Sequence, residues 1–546
     1  MVPRACEEGG PGLTSVSSAA VPRRPFAHVV AVLAAALMAV VVMAGCGTST
    51  STRAERQGAD PGLDSGLVHT ASGPVRGLVA PGHLLFRGIP YAAPPVGNLR
   101  WAPPQPAAPW TELRDASDPG PRCIQDTALD PGTGRRDSED CLSVNVWSPR
   151  GAQGRPVMVW IHGGGFANGS GDMYDASWLV EKGDIVVVTI NYRLGALGFL
   201  AHPSLGHGNY GLLDQQAALH WVRDNISRFG GDPAKVTIAG QSAGAMSVCD
   251  HLVARESAGL FRAAILQSGP CQAQANLSEA REVSLRYARE VGCGDPATAA
   301  ACLRGLPATA LERSPSFFSI GDDGLSGPVT GTPELPTDPA AVLDATSASR
   351  VPILIGTTRD EFTLFAALKF LRSGHAPTAA EYPEELSETF GADAVSVAQH
   401  YPLERYGGSV ELAYSAAVTD GVFACPADRM GAAIAPHSPV YAYEFNDRTA
   451  PTPPPLREVP FPVGASHSLE LRYLFDVGGA PALNAEQQRL SDEMIAFWTE
   501  FVRTGEPGGD WQAFGTDPAW MSLKLGGSEA FTSFRDEHQC DFWAQN

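Results

Sequence analysis

Runs of consecutive apolar, mostly β-branched residues recur through the middle of the chain: PVMVWI (Pro156–Ile161), DIVVVTIN (Asp184–Asn191), KVTIAG (Lys235–Gly240), FRAAILQS (Phe261–Ser268), VPILIGT (Val351–Thr357) and PVYAYEF (Pro439–Phe445). Unbroken runs of this length suit strands buried on both faces, since polar alternation is needed only where one face meets water. Between several of them lie segments of helical period, such as LLDQQAALHWVRDNISRF (Leu212–Phe229), with apolar residues three and four apart. This alternation predicts an α/β fold: a large, mainly parallel sheet covered by helices. Ahead of it, the shorter segments GLVHT, GPVRGLVA and HLLFRG, broken by Gly and Pro, predict a small N-terminal antiparallel sheet. GIPYAAPPVGNLRW follows, too proline-rich for a helix or an inner strand, and reads as an ordered surface loop. Neither a repeat nor a linker divides residues 66–546, which read as a single domain.

The first 65 residues follow a different pattern. Arg23 and Arg24 precede HVVAVLAAALMAVVVMAGC, an apolar run ending in small residues, which is the layout of an export signal and is short for a membrane span. Met43-Ala44-Gly45-Cys46 looks like a bacterial lipobox. On that reading residues 1–45 are removed, Cys46 carries a lipid, and the lipid is the chain's membrane contact. Glu7 and Glu8 are unusual ahead of a signal, and a start codon placed too far upstream would account for them. Residues 46–65 are polar and rich in Ser, Thr and Gly, as a flexible tether requires.

Composition narrows the partners. Across 546 residues the formal charge is −20, and no basic run occurs outside the N-terminus, which argues against nucleic acid because phosphate binding needs clustered Lys and Arg. Of ten cysteines, eight remain once Cys6 and Cys46 are set aside, and none has the CxxC spacing of a zinc site. In an exported protein they point to disulfides instead.

Chemistry concentrates around GQSAG, where Gly240 and Gly244 flank Ser242 between a predicted strand and a predicted helix. A turn this tight strains its central residue and exposes its hydroxyl, and small neighbours make room for it. An activated serine also needs oxyanion donors, a base and an acid. HGGGF (His162–Phe166) follows the strand PVMVWI, and its glycines let adjacent amides converge; Gly164, Gly165 and the amide of Ala243 are the candidate donors. Chain order places the acid and then the histidine after the serine. Among His251, His375, His400, His437, His467 and His538, His467 has the right frame, a polar turn in VGASHSLELRYLF. For the acid, GTTRDEF leaves Asp360 and Glu361 as rivals at the carboxyl end of a strand, the edge where sites in open α/β sheets assemble.

Together these stretches resemble the type-B carboxylesterase family, the group containing cholinesterases and fungal lipases. FRGIPYAAPPVGNLRW, SEDCLSVNVW, HGGGF, NYRLGALGFL, GNYGLLDQQAALHWVRDNISRFGGDP, GQSAGAMSV, RAAILQSG, GTTRDEF, GASHSLELRYLF and FWTEFVRTGEP stand in the family's order over roughly residues 66–546. The resemblance implies an α/β-hydrolase fold, a Ser242–Glu361–His467 triad with Glu361 rather than Asp360 as the acid, and no cofactor or metal. It also implies three disulfides, Cys123–Cys141, Cys293–Cys302 and Cys425–Cys540. Cys249 and Cys271 then remain, and their pairing is left open.

Departures from the family pattern limit the substrate. Cholinesterases carry glutamate before the nucleophile and a tryptophan in the first disulfide loop, which hold a quaternary ammonium through charge and cation–π attraction. Here the preceding residue is Gln241, and IQDTALDPGTGRRDSED has no aromatic residue. The expectation is therefore a serine esterase acting on uncharged carboxylic esters through an acyl-enzyme. That loop also lacks the long apolar flap of the fungal lipases, which disfavours a lipase of water-insoluble esters. A non-catalytic binding protein on the same fold is the other alternative, disfavoured because serine, acid, histidine and glycine donors are all present.

Overall fold

A computed structural model describes residues 63–545 except 126–135, 270, 273, 321–322, 343–349, 480 and 516–517. The expected signal, the lipobox with Cys46, nearly all of the tether and most of the first disulfide loop lie outside the described residues.

Eleven strands form one sheet: β1 (Leu78–Val79), β2 (His83–Pro90), β3 (Ser143–Pro149), β4 (Arg155–Ile161), β5 (Val186–Ile190), β6 (Gly231–Gln241), β7 (Ala263–Gln267), β8 (Ile353–Thr358), β9 (Val440–Phe445), β10 (Trp520–Leu523) and β11 (Glu529–Phe531). Their spatial order is β11-β10-β9-β8-β7-β6-β4-β5-β3-β2-β1. From β5 across to β10 every neighbouring pair is parallel, while the flanking pairs at both edges are antiparallel. All six apolar runs of the sequence form strands of the parallel block. Of the three short N-terminal segments, the first and the start of the second pair antiparallel as Leu67–His69 with Pro74–Arg76 in a small sheet that Arg114–Asp115 completes in parallel, whereas the end of the second (Leu78–Val79) and HLLFRG become β1 and β2 of the large sheet. The 8-residue β2 has buried Leu84, Phe86 and Ile89, too much apolar surface for a small exposed sheet to cover.

Burial on both faces explains the unbroken apolar runs. Along β4, Val157, Val159 and Ile161 pack into one core, and Met158 and Trp160 into the other. The first core continues through Ile238, Ile353 and Ile355; the second takes in Ile265, Leu354 and Trp498. Helix α1 (Tyr210–Asn225) realises most of the predicted Leu212–Phe229 helix, whose last turn tightens into a 3-10 segment, Ile226–Phe229, ending on Gly230 at φ 82°. The buried Asp214 on α1 takes both the Nε and Nη2 groups of Arg193 at 2.7 Å, tying the helix to the loop after β5.

Among the described residues four disulfides are present: Cys123–Cys141, Cys249–Cys271, Cys293–Cys302 and Cys425–Cys540. Bonds of this kind persist in an oxidising compartment outside the cytosol. Among the described residues no helix is long and apolar enough to cross a membrane, and no His, Cys, Asp and Glu group is placed to hold a metal.

Candidate active site

The carboxyl ends of β4, β6 and β8 carry the candidate residues, with β7 lying between β6 and β8. β4 runs into HGGGF, β6 into Ser242, and β8 into Thr358 and the Arg359-Asp360-Glu361 turn. Register holds them side by side, with Ile161 opposite Gly240, Gln241 opposite Gln267, and Gln267 opposite Gly356.

Ser242 sits between β6 and α2 (Ala243–Val253) at φ 56° and ψ −126°, a conformation that costs a residue with a side chain roughly 1–3 kcal/mol. The strain is sustained by close packing of helix on strand. A Cβ on Gly244 would lie 2.0 Å from the Ile161 carbonyl oxygen, and one on Gly240 would lie 2.4 Å from the backbone of Gly244. Both flanking positions therefore exclude every side chain, which explains the G-x-S-x-G spacing.

The glycine loop abuts this turn. A Cβ on Gly163 would come within 3.1 Å of the Ser242 Cβ, and Gly164 stands at φ 105° with its carbonyl accepting from the amides of Ala167 and Asn168. The amides of Gly164, Gly165 and Ala243 donate to no acceptor among the described residues. His162 anchors the loop: its Nδ1 lies 2.8 Å from the Gly163 carbonyl oxygen and its ring stacks on Tyr192 at 4.4 Å. Burial pushes His162 down to about 4, so it stays neutral and adds no charge beside the serine.

Glu361 and His467 meet. His467 Nδ1 lies 2.5 Å from Glu361 Oε2, and the other carboxylate oxygen accepts 2.7 Å bonds from Thr357 Oγ1 and the Thr358 amide. Burial alone would raise the Glu361 pKa, but the His467 charge and the hydrogen bonds from His467 and the Thr358 amide hold it below the ordinary carboxylate value. Phe365 and Phe423 flank the His467 ring, with centroids 5.2 and 5.5 Å away. Asp360 turns elsewhere: it takes Arg448 Nη2 at 2.6 Å and the Ala465 amide at 2.9 Å, bracing the histidine loop without touching the ring.

Among the described residues, none of the other candidate histidines bonds Ser242 or Glu361. His251 lies buried between Ser257 and Gln215, His375 pairs with Glu381 at the surface, His400 stacks on Phe542, and His437 is exposed. His538 is locked between two carboxylates, Asp420 and Glu444.

Two features escape the sequence. Gln241 reaches across to His467, its Nε2 3.0 Å from the ring Nε2, while the Ser242 hydroxyl has no hydrogen bond among the described residues. Behind the acid lies Glu470, a buried carboxyl pushed up to about 8 by burial and by Glu361, with Gln267 donating to it at 3.2 Å. Its position three residues after His467 in SHSLELRY was the available signal, but an apolar-flanked glutamate in a short turn looks like surface charge until folding buries it.

A parallel block with a strained serine turn, a glycine loop and an acid–histidine pair on one sheet edge defines an α/β hydrolase. The model of the carboxylesterase family matches residues 64–543, so the chain belongs to that family and is a carboxylic ester hydrolase. It is 36% identical over 472 residues to a fumonisin B1 esterase of Sphingopyxis macrogoltabida, covering 82% of this chain and 83% of that one. With the para-nitrobenzyl esterase of Bacillus subtilis (strain 168) it shares 35% identity over 464 residues, covering 81% and 90%. A solved thermophilic PNB esterase superposes with a TM-score of 0.74 at 32% identity, over 87% of this chain and 99% of that structure.

Proposed function

We propose that the protein is a serine carboxylesterase that hydrolyses uncharged carboxylic esters through an acyl-enzyme, with Ser242 as nucleophile, His467 as base and Glu361 as the acid that orients it. The observation that carries this reading is the 2.5 Å contact of His467 Nδ1 with a buried carboxylate beside a strained serine turn. Because Nδ1 keeps its proton and donates it in a hydrogen bond to Glu361, Nε2 is the nitrogen free to act as base. His467 removes the proton of Ser242 as the hydroxyl oxygen attacks the ester carbonyl, and Glu361 stabilises the imidazolium. The amides of Gly164, Gly165 and Ala243 receive the oxyanion. His467 then protonates the departing alcohol, and water attacks the acyl-enzyme with the same base.

Substrate neutrality rests on what surrounds the reacting groups. Phe365 and Phe423 flank the base, Leu325 leans on Gly165, and the residue before the serine is an amide rather than a carboxylate. The relatives carry the names of esterases of different compounds, which agrees with a shared edge and variable walls. Ser242→Ala should abolish hydrolysis of p-nitrophenyl esters while the circular dichroism and melting temperature stay native; retained turnover would refute the assignment. We also propose that residues 1–45 direct export, that Cys46 carries the lipid, and that residues 66–546 form one catalytic domain tethered by 46–65. Metabolic labelling with a fatty-acid probe, lost in Cys46→Ala, tests the anchor.

A further inference from the structure

Gln241 ends β6, and its side chain is only 3% exposed. Its carboxamide nitrogen lies 3.0 Å from His467 Nε2, and its carboxamide oxygen lies beside Gly163, 3.1 Å from where a Cβ would stand. The amide thus spans the gap between the base and the start of the glycine loop. Its orientation follows from the far side of the ring. With Nδ1 2.5 Å from Glu361, a neutral imidazole keeps its proton there, so Nε2 can only accept and must face an N–H. A ring nitrogen has one lone pair in its plane. Filling it with the Gln241 amide leaves none for the Ser242 hydroxyl, which has no hydrogen bond among the described residues.

We infer that Gln241 is a positioning residue that latches His467 in the resting enzyme, competing with Ser242 for Nε2 until a bound ester displaces the amide. This inference rests on the roles proposed for Ser242 and His467. The latch keeps the imidazole in the tautomer that attack requires and holds the serine unactivated while the site is empty. Reaction begins when Nε2 exchanges the amide for the hydroxyl. One net hydrogen bond is at stake, so releasing the latch should change the reactivity of the empty site about fivefold.

The test is the second-order rate at which an alkyl fluorophosphonate labels the free enzyme. In that reaction the Ser242 Oγ–P bond forms, the P–F bond breaks, the serine proton passes to His467 Nε2 and fluoride leaves. Gln241→Met preserves length and apolar packing but cannot donate, and it should raise the labelling rate about fivefold. Gln241→Glu should act in the opposite direction. Its carboxylate favours the imidazolium, which cannot accept the serine proton, so labelling should fall near neutral pH and recover as pH rises. The ionisable groups around the ring are then Glu361, the introduced carboxylate and, behind Glu361, Glu470; Phe365 and Phe423 cover the ring faces. A merely structural Gln241 would lower the rate in both variants at every pH, which would overturn the latch, as would an unchanged rate in Gln241→Met. If Gln241→Met misfolds, Gln241→Leu, which likewise cannot donate, repeats the test and should also raise the labelling rate. Absence of labelling at Ser242 in the native enzyme would instead refute the proposed nucleophile and is thereby distinguished.

Discussion

Replacing His538 with Gln removes the charge at the centre of a buried cluster that reaches the proposed site through Arg359, two residues before Glu361. Its Nδ1 lies 2.5 Å from Asp420 and its Nε2 2.6 Å from Glu444, while Arg359 bonds Glu444 at 3.1 Å and Glu537 at 2.8 Å. Arg359 Nη1 also lies 3.2 Å from the ring Nε2 and opposes a second positive charge there. Burial by itself would push His538 down, but Asp420 and Glu444 hold it protonated up to about 9. Relative to an ordinary 6.5, that corresponds to about 3 kcal/mol, in keeping with the roughly 3–5 kcal/mol lost when a buried pair is broken. The sign follows from the raised value: the stabilisation is complete below about pH 6.5 and is lost as pH rises through about 9. At about 2 cal/mol/K per residue, a chain of this length falls on the order of 1 °C per kcal/mol, so His538→Gln should melt about 3 °C lower at pH 6. The difference should close by about pH 10. Differential scanning calorimetry of both proteins at the two pH values measures it, and a gap that is absent at pH 6, or equally wide at pH 10, would refute the reasoning. The Cys425–Cys540 bond, two residues from His538, keeps the segment tethered in the variant.

Exchanging the two neighbouring carboxylates separates their roles. Glu361→Gln should lower kcat on p-nitrophenyl esters by about 10⁴ with little change in KM, because the amide cannot stabilise the imidazolium or fix its tautomer. Asp360→Asn weakens the bonds to Arg448 and the Ala465 amide and should cost no more than about tenfold; equal losses in the two variants would place the acid wrongly. Removing the Cys425–Cys540 bond, which spans 115 residues, should cost about 5 kcal/mol on loop entropy, read as a lower guanidinium midpoint in the Cys425→Ser/Cys540→Ser double variant.

Local order was legible in the sequence wherever one physical requirement acts on consecutive residues. Strands buried on both faces must be apolar throughout, so all six runs of the parallel block could be recognised, as could the glycines at 240 and 244 that a close helix–strand approach demands. The third N-terminal segment, HLLFRG, reads as part of the small sheet because six residues do not reveal which sheet will cover them. Contacts between distant residues lay beyond any such reading. GTTRDEF could not by itself choose between Asp360 and Glu361, since both follow the same strand; the turn after β8 directs Glu361 inward to His467 and Asp360 outward to Arg448. Gln241 reads in the sequence as the residue that takes the place of a cholinesterase glutamate, and only the packing of β6 against the histidine loop brings its amide to His467, 226 residues away. His538 lacks the polar-turn frame of His467 in the sequence, and its buried charge arises from Asp420 and Glu444, which lie 118 and 94 residues from it. The sequence alone determines which segments become strands and which residue types reach the sheet edge. Which partner each side chain meets there is decided by tertiary structure, because burial and charge depend on neighbours that the chain supplies from far away.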